Sequence, residues 1–216
     1  MSMGIGSGVL VSQCKHNYRG VEMMRWSMVM FAAIMLAVGI SLAEEISKWN
    51  GKSVLILGDS LVGEGSGLEM GLRKQLKGQG AYVTTKAEIG GRASSWAKDS
   101  DLEMYLAESR VDAVVVVLGL NSCRTPPKTY GRHVRALARR LRGKECYWIG
   151  PPLLIEGAAG FMIQLPKTVE ANSECKFFDT VENVEFQPGS VSGFHVRRWK
   201  GIRWAKKVWA WMNNES

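Results

Sequence analysis

Proline, metal-binding clusters and nucleic-acid-binding motifs are scarce or absent in this 216-residue sequence. The six prolines are too few for a proline-rich linker, and no repeat or biased stretch interrupts residues 52–213. None of the four cysteines forms a CxxC pair and no histidine cluster accompanies them, which argues against a zinc site. The net charge of +8 comes without any DNA or RNA motif, so we interpret it as a solvated basic surface. We expect no metal, no cofactor and no nucleic-acid partner.

The N-terminal region has the pattern of a targeting segment. Residues 26–43 are apolar apart from two serines, with arginines before them and two glutamates after them. The small residues Ser41 and Ala43 favour a secretory signal peptide, and a membrane anchor is the alternative because the segment is near the shortest length that spans a bilayer. We predict that residues 23–43 form one or the other, after an upstream extension at 1–22. The protein is then periplasmic or secreted, or anchored to the membrane by this segment.

From residue 52 onward, short apolar runs alternate with amphipathic stretches. The apolar runs predict five strands, at 53–57, 81–87, 113–118, 146–149 and 176–179. Helical spacing and amphipathic character predict helices at 68–76, 93–106, 130–141, 157–172 and 199–212. The β-branched run at 113–118 is typical of a strand that is buried on both faces. This alternation predicts one doubly wound α/β domain with a parallel sheet over 52–213.

Ligands of doubly wound sheets bind beyond the carboxyl ends of the strands, so catalytic side chains are expected just after the apolar runs. The first run ends in Gly58-Asp59-Ser60-Leu61, which presents a serine hydroxyl at this edge and at the start of a helix. The alternative is that Asp59 or Ser60 only caps that helix. The second run ends near Gly91, whose backbone N–H can approach a ligand closely, although a glycine there is commonly a simple turn.

Two further side chains are candidates for the same edge. Asn121 follows the third run and can donate its amide N–H to an oxyanion, or else form an Asx turn. His195 precedes the last predicted helix and can reach the edge as a general base, with a purely structural role as the alternative. The other histidines are less suited, because His16 precedes the apolar N-terminal segment and His133 lies inside a basic helix.

Together these four motifs, in this order, resemble the sequence blocks of the SGNH (GDSL-type) hydrolases over residues 52–213. The resemblance implies a three-layer α/β/α fold of the flavodoxin-like kind with a five-stranded parallel sheet. It also implies Ser60 as the nucleophile, His195 as its general base, and an oxyanion hole made by Ser60, Gly91 and Asn121. The expected activity is hydrolysis of a carboxylic ester, such as an O-acetyl group on a polysaccharide or a lipid ester of the cell envelope or exterior.

Two positions depart from the family pattern. Ser122 follows Asn121 where the family has aspartate, and Ser192 replaces the aspartate that orients the imidazole of the base. Ser192 or a backbone carbonyl would then hold the His195 ring, or Asp179 would do so if its loop folds back. A catalytically weak or inactive SGNH-like domain that binds polysaccharide or a protein partner is therefore one alternative, and an O-acyltransferase is another.

Four other side chains complete the predictions. Arg92 and Arg124 follow two of the motifs and would contact an anionic substrate or, alternatively, face solvent. Cys146 and Cys175 each stand just before an apolar run. If those runs are neighbouring parallel strands, both cysteines lie at the same edge of the sheet. A disulfide between them is then a hypothesis that requires an oxidising compartment.

Overall fold

A five-stranded parallel sheet forms the centre of the fold. Its strands are β1 (Ser53–Gly58), β2 (Tyr82–Ala87), β3 (Ala113–Val117), β4 (Glu145–Ile149) and β5 (Lys176–Phe178). They lie in the order β2-β1-β3-β4-β5, and every neighbouring pair is parallel. β3 is buried along its whole length, as its β-branched run predicts. The predicted five-stranded parallel sheet is confirmed.

The computed structural model describes residues 46–108, 110–155, 157–186, 191–192 and 195–214. One compact unit, Ser47–Ser216, contains every element named here. The segments predicted at 1–22 and 23–43 lie outside the described residues. Within the described part of the chain, no helix is both long enough and apolar enough to cross a membrane.

Helices cover both faces of the sheet. They are α1 (Gly67–Gly78), α2 (Ala93–Trp96), α3 (Leu102–Glu108), α4 (Pro127–Arg140), α5 (Ala159–Glu170), α6 (Thr180–Asn183) and α7 (Arg198–Asn214). α1 packs against α7, whereas α4 packs against α2 and α5. This three-layer α/β/α arrangement, with its flavodoxin-like strand order, is the predicted fold.

The structure divides one predicted helix in two and adds several short elements. The helix expected over 93–106 is the pair α2 and α3, which residues 97–101 separate. In this gap the Asp99 carboxylate accepts the Asp101 N–H at 2.8 Å, a local bond that competes with helical pairing. The elements too short for periodicity to reveal are two 3-10 helices (Ser60–Val62 and Leu120–Ser122), α6, β6 (Val191–Ser192) and β7 (His195–Val196).

Arg73 on α1 binds the outer edge of the sheet. β2 is an edge strand, and its Val83 carbonyl accepts a hydrogen bond from Arg73 Nη1 at 2.9 Å. Arg73 also donates to the Thr85 hydroxyl at 2.7 Å and to the Glu69 carboxylate at 2.5 Å. Glu69 is only 7% exposed, so this guanidinium compensates a nearly buried charge. Helix α1 is thereby attached to the edge strand.

Small residues let α1 and α7 approach closely. A side chain at Gly67 would collide with the Arg198 carbonyl, and one at Gly71 would collide with the Ala205 side chain. A side chain at Gly201 on α7 would in turn collide with the Gly67 backbone. The crossing places the first turn of α7 against the first turn of α1, and it therefore fixes the chain that enters α7 from β7.

Cys146 and Cys175 form a disulfide at the edge of the sheet opposite the carboxyl ends, with their Cα atoms 4.5 Å apart. Tyr147 pairs with Lys176 in the β4–β5 register, so the two cysteines that precede them are neighbours across the strands. The cysteines are 29 residues apart in sequence, and closing a loop of that length stabilises a fold by on the order of 3 kcal/mol.

Candidate active site

The candidate nucleophile lies at the carboxyl end of β1. This strand ends at Gly58, where a side chain would collide with the Val117 carbonyl on the neighbouring strand, so only glycine fits. Asp59 follows and caps the 3-10 helix Ser60–Val62. Ser60 begins that helix and is half-buried. It therefore lies at the edge where folds of this class bind their ligands.

Asp59 is a fully buried carboxylate directly before Ser60, the candidate nucleophile. Its Oδ1 accepts the Leu61 N–H at 2.9 Å, and its Oδ2 accepts an Asn121 Nδ2 hydrogen at 3.0 Å. Burial raises the pKa of Asp59 to about 6, and these hydrogen bonds limit the rise because they favour the charged form. Asp59 thus links the end of β1 to the residues that follow β3.

The three predicted oxyanion donors are in different states. No described residue accepts a hydrogen bond from the Ser60 N–H. The Gly91 N–H donates to the Glu88 carbonyl at 2.9 Å within a turn. The Asn121 amide donates both to Asp59 Oδ2 and to the Gly91 carbonyl, the second at 3.2 Å. Asn121 therefore connects the loops after β1, β2 and β3, and its N–H groups are engaged in doing so.

Two aromatic residues adjoin this cluster. Trp96 donates its indole N–H to the Gly58 carbonyl, at the end of β1, at 3.2 Å. The Tyr130 hydroxyl is buried and has no hydrogen-bond partner among the described residues. The pKa of Tyr130 is raised well above its ordinary value, first by burial and second by the charge of Asp59. The second cause places the phenol within electrostatic range of the Asp59 carboxylate.

The candidate base lies on a short antiparallel ribbon, β6–β7, that precedes α7. Ser192 pairs with His195 in its register, and Val191 pairs with Val196. β7 contacts the 3-10 helix that begins at Ser60. His195 is exposed, and together with Ser60 it lines one cavity of about 570 Å³. The structure thus brings both residues to the same cavity, without a hydrogen bond between their side chains among the described contacts.

The cavity that holds Ser60 and His195 has a mixed lining. Ile89 and Val196 contribute apolar surface, and Ser66 contributes a hydroxyl. Among the described residues, no group of three or more His, Cys, Asp and Glu side chains is arranged to hold a metal ion. The arrangement therefore offers a hydroxyl nucleophile and an imidazole at one cavity.

Three further predicted residues lie apart from this cavity. Asp179 caps α6, since its Oδ1 accepts two backbone N–H groups at 2.9 and 3.3 Å. No hydrogen bond joins Asp179 to His195 in the described part of the chain. Arg92 and Arg124 are exposed, and neither is among the described residues that line the cavity. Their contact with an anionic substrate stays a prediction.

Sequence reasoning misses the buried link between Asp59 and Asn121, because it considers Asp59 only as a helix cap. A signal is present nevertheless. A carboxylate directly after a buried strand has little access to water and needs a hydrogen-bonding partner, and Asn121 at the end of a neighbouring strand supplies one. The position of Tyr130 carries no such signal, because a tyrosine on the inner side of a helix looks like an ordinary core residue.

No protein-family model matches this sequence, and no curated protein matches it either. Solved structures do match. TesA aligns with a TM-score of 0.65 and 19% identity over 76% of this chain and 99% of its own. A protein from Slackia heliotrinireducens, described as an SGNH hydrolase, aligns with a TM-score of 0.59 and 19% identity over 76% of this chain and 100% of its own. A family 3 carbohydrate esterase from Clostridium thermocellum aligns with a TM-score of 0.61 and 14% identity over 74% of this chain and 94% of its own. At these identities the likeness is one of fold.

Proposed function

This chain has the SGNH hydrolase fold, and from that premise we propose that it is a serine esterase with Ser60 as nucleophile and His195 as general base. The observation that carries the proposal is the shared cavity, which both side chains line. A hydroxyl beside an imidazole is the minimum equipment for covalent acyl transfer.

In the proposed reaction, the Ser60 hydroxyl attacks the carbonyl carbon of the ester while the His195 ring accepts its proton. The protonated ring then donates that proton to the leaving alcohol as the C–O bond breaks, which leaves an acyl-serine. Water attacks the acyl-serine as the same ring takes up its proton. The ring returns this proton to Ser60 when the carboxylic acid leaves.

The oxyanion is expected to form beside the Ser60 N–H, which is unengaged among the described residues. A second donor requires the exchange of an existing bond. Asn121 would turn one N–H from the Gly91 carbonyl to the oxyanion, or Gly91 would release the Glu88 carbonyl. Either exchange is favourable because a charged acceptor forms a stronger hydrogen bond than a neutral carbonyl.

Ser192 is the proposed partner of the imidazole, in place of the family's aspartate. Its position directly opposite His195 in the β6–β7 register supports this assignment. Asp179 is a weaker candidate because its carboxylate already caps α6. A hydroxyl stabilises an imidazolium less than a carboxylate does, so we expect a slower enzyme than one with a full triad.

The proposed substrate is an ester on envelope or extracellular material, such as an O-acetylated polysaccharide or a lipid ester. The apolar surface of Ile89 and Val196 in the cavity suits an acyl group. Export is supported by the Cys146–Cys175 disulfide, which needs an oxidising compartment, and by the signal-like sequence at 23–43. The Clostridium neighbour is named a carbohydrate esterase, which agrees with a sugar ester.

A non-catalytic binding domain is the second candidate function. The engaged N–H groups of Gly91 and Asn121 favour it, as does the lack of a Ser60–His195 hydrogen bond among the described residues.

Labelling with a fluorophosphonate separates the two functions. An esterase should be labelled at Ser60, and the label should vanish in Ser60→Ala. Ser66→Ala is the matched control, because Ser66 lines the same cavity and only caps α1. That variant should keep the label. An unlabelled wild type, or labelling that persists in Ser60→Ala, would overturn the proposal.

A further inference from the structure

A stripe of cations runs along helix α4. Lys128, Arg132, Arg135 and Arg139 recur every three or four residues, so they lie on one side of the helix, and Arg142 continues the spacing just beyond its end. All five are exposed. At a rise of about 1.5 Å per residue, this α4 stripe is roughly 21 Å long.

The α4 stripe lines a groove between α4 and α5. One cavity of about 560 Å³ is lined by the first half of the stripe and by Lys167 of α5. A second, of about 400 Å³, is lined by the second half of the stripe and by Glu170 and Glu174. Arg135 and Asn172 line both cavities, so the two adjoin at these residues.

The cations that line the groove outnumber its two carboxylates, Glu170 and Glu174. Among the described residues, no carboxylate lies within 4.0 Å of a cation of the α4 stripe. The α4 arginine that does form an ion pair, with Glu103, is Arg140, which is not part of the stripe. Arg135 bonds a neutral acceptor, the Asn172 side-chain oxygen, at 2.8 Å. The groove therefore attracts anions.

The groups that line the groove suit sugars better than nucleobases. In the described part of the chain no aromatic side chain lines either cavity, so a base would have only arginine guanidinium planes to stack on. Gln164, Thr168 and Asn172 supply amides and a hydroxyl, which can bond sugar hydroxyls. The Cys146–Cys175 disulfide lines the same groove and belongs to an oxidising compartment.

We propose that this groove binds an acidic polysaccharide, a chain of sugars that carries carboxylate or other anionic groups. α4 follows the loop that contains Asn121, so the Lys128 end of the groove lies toward the carboxyl edge of the sheet. A bound polymer runs from there along α4. Binding of the polymer does not depend on the proposed function. The identity of the substrate does, because the polymer in the groove would carry the ester that Ser60 cleaves.

The test is binding of polygalacturonate to the purified full chain, with neutral dextran as the reference polymer. The variant R132Q/R135Q/R139Q removes three charges from the α4 stripe. The matched control K74Q/K77Q/K206Q removes three exposed charges from α1 and α7. The stripe variant should bind about tenfold more weakly and with a shallower salt dependence, because fewer counterions are released. The control should bind like the wild type.

Several outcomes would overturn this inference. They are no preference for polygalacturonate over dextran, equal weakening in the control, or tighter stripe-dependent binding of a single-stranded oligonucleotide or of anionic phospholipid vesicles. Equal thermal midpoints of the two triple variants show that both are folded. Ser60→Ala should lose hydrolysis and keep polymer binding. A wild type that binds the polymer and hydrolyses no ester contradicts the esterase proposal alone.

Discussion

The two sides of the candidate site are stabilised by different kinds of structure. Asp59 and Ser60 follow β1, an interior strand that pairs with both β2 and β3. His195 lies on a ribbon with only two residues in each strand. The Asp59 carboxylate is fully buried, whereas the His195 side chain is exposed.

This contrast teaches that the sheet positions one candidate catalytic group, Ser60, and that the helices position the other, His195. The sheet and the buried hydrogen bonds of Asp59 determine where the Ser60 hydroxyl lies. The close crossing of α1 and α7 at Gly67 determines where the chain that carries His195 lies. Substitutions on one side should therefore leave the other side intact.

The largest effect is expected from removal of the base. His195→Ala removes the proposed proton acceptor, and kcat for a p-nitrophenyl ester should fall by about 10³-fold or more. The thermal midpoint should not change, because the ring is exposed. His133→Ala on α4 is the control. A similar fall in that variant, or full activity in His195→Ala, would contradict the assignment of the base.

Asp59→Asn tests the buried hydrogen bonds that hold the Ser60 side of the candidate site. Asparagine has one acceptor oxygen for the two donors that Asp59 binds, so the Asn121 amide loses its fixed orientation. We expect kcat for the same ester to fall by about 10²-fold. Asp112→Asn, at an exposed carboxylate that accepts the Ser53 N–H, is the control. An unchanged kcat would mean that Asn121 acts without the carboxylate.

The same substitution has a distinct effect on the pH dependence of stability. The folded state raises the pKa of Asp59 from 3.8 to about 6, so it binds the proton more tightly than the unfolded chain does. The stability from this difference is present below the unfolded pKa and is lost as the pH rises through the folded pKa. The loss is about 3 kcal/mol. In urea unfolding, the free energy of unfolding of the wild type relative to that of Asp59→Asn should fall by this amount between about pH 4 and about pH 6. A difference in free energy that does not change with pH would contradict the raised pKa of Asp59.

Gly67→Ala disturbs the crossing of α1 and α7, which positions the chain that carries His195. The new methyl group collides with the Arg198 carbonyl, a backbone atom that no side-chain rotation can move. The free energy of unfolding in urea should fall by about 1–3 kcal/mol. Gly78→Ala on the same helix is the control, since its methyl group would meet no atom within 4 Å. Equal stability of Gly67→Ala and the wild type would contradict a close contact between α1 and α7 at Gly67.

The smallest expected change is a gain. Ser192→Asp places a carboxylate opposite His195 in the ribbon, where it can orient the imidazole and stabilise its charged form. We expect kcat to rise by about tenfold. Ser192→Asn, which adds similar volume without charge, should not produce the rise. No gain in Ser192→Asp would indicate that another group already holds the ring.

The fold could be predicted from the sequence because it follows from the hydrophobic pattern. Short apolar runs between helical stretches leave few arrangements other than a parallel sheet covered on both faces. The β-branched run at 113–118 favours a strand that is buried on both faces, as β3 is. The break between α2 and α3 could not be predicted in this way, because it depends on the Asp99 carboxylate and its local hydrogen bond.

The site could be predicted only as a set of positions. Ser60 and Asn121 follow neighbouring parallel strands, so they lie at one edge of the sheet whatever sequence connects the two strands. The partners of the Asn121 amide are 62 and 30 residues away in sequence, and contacts of that range leave no periodic signal. The β6–β7 ribbon is also too short to produce an alternating pattern.

Arg73 affects how copies of this protein meet one another. Its guanidinium occupies the Val83 carbonyl on the free side of β2, an acceptor that a strand from another molecule would need. At the far side, β5 has only three residues, which offers a poor template for strand addition. Both features make the addition of a strand from another molecule less favourable.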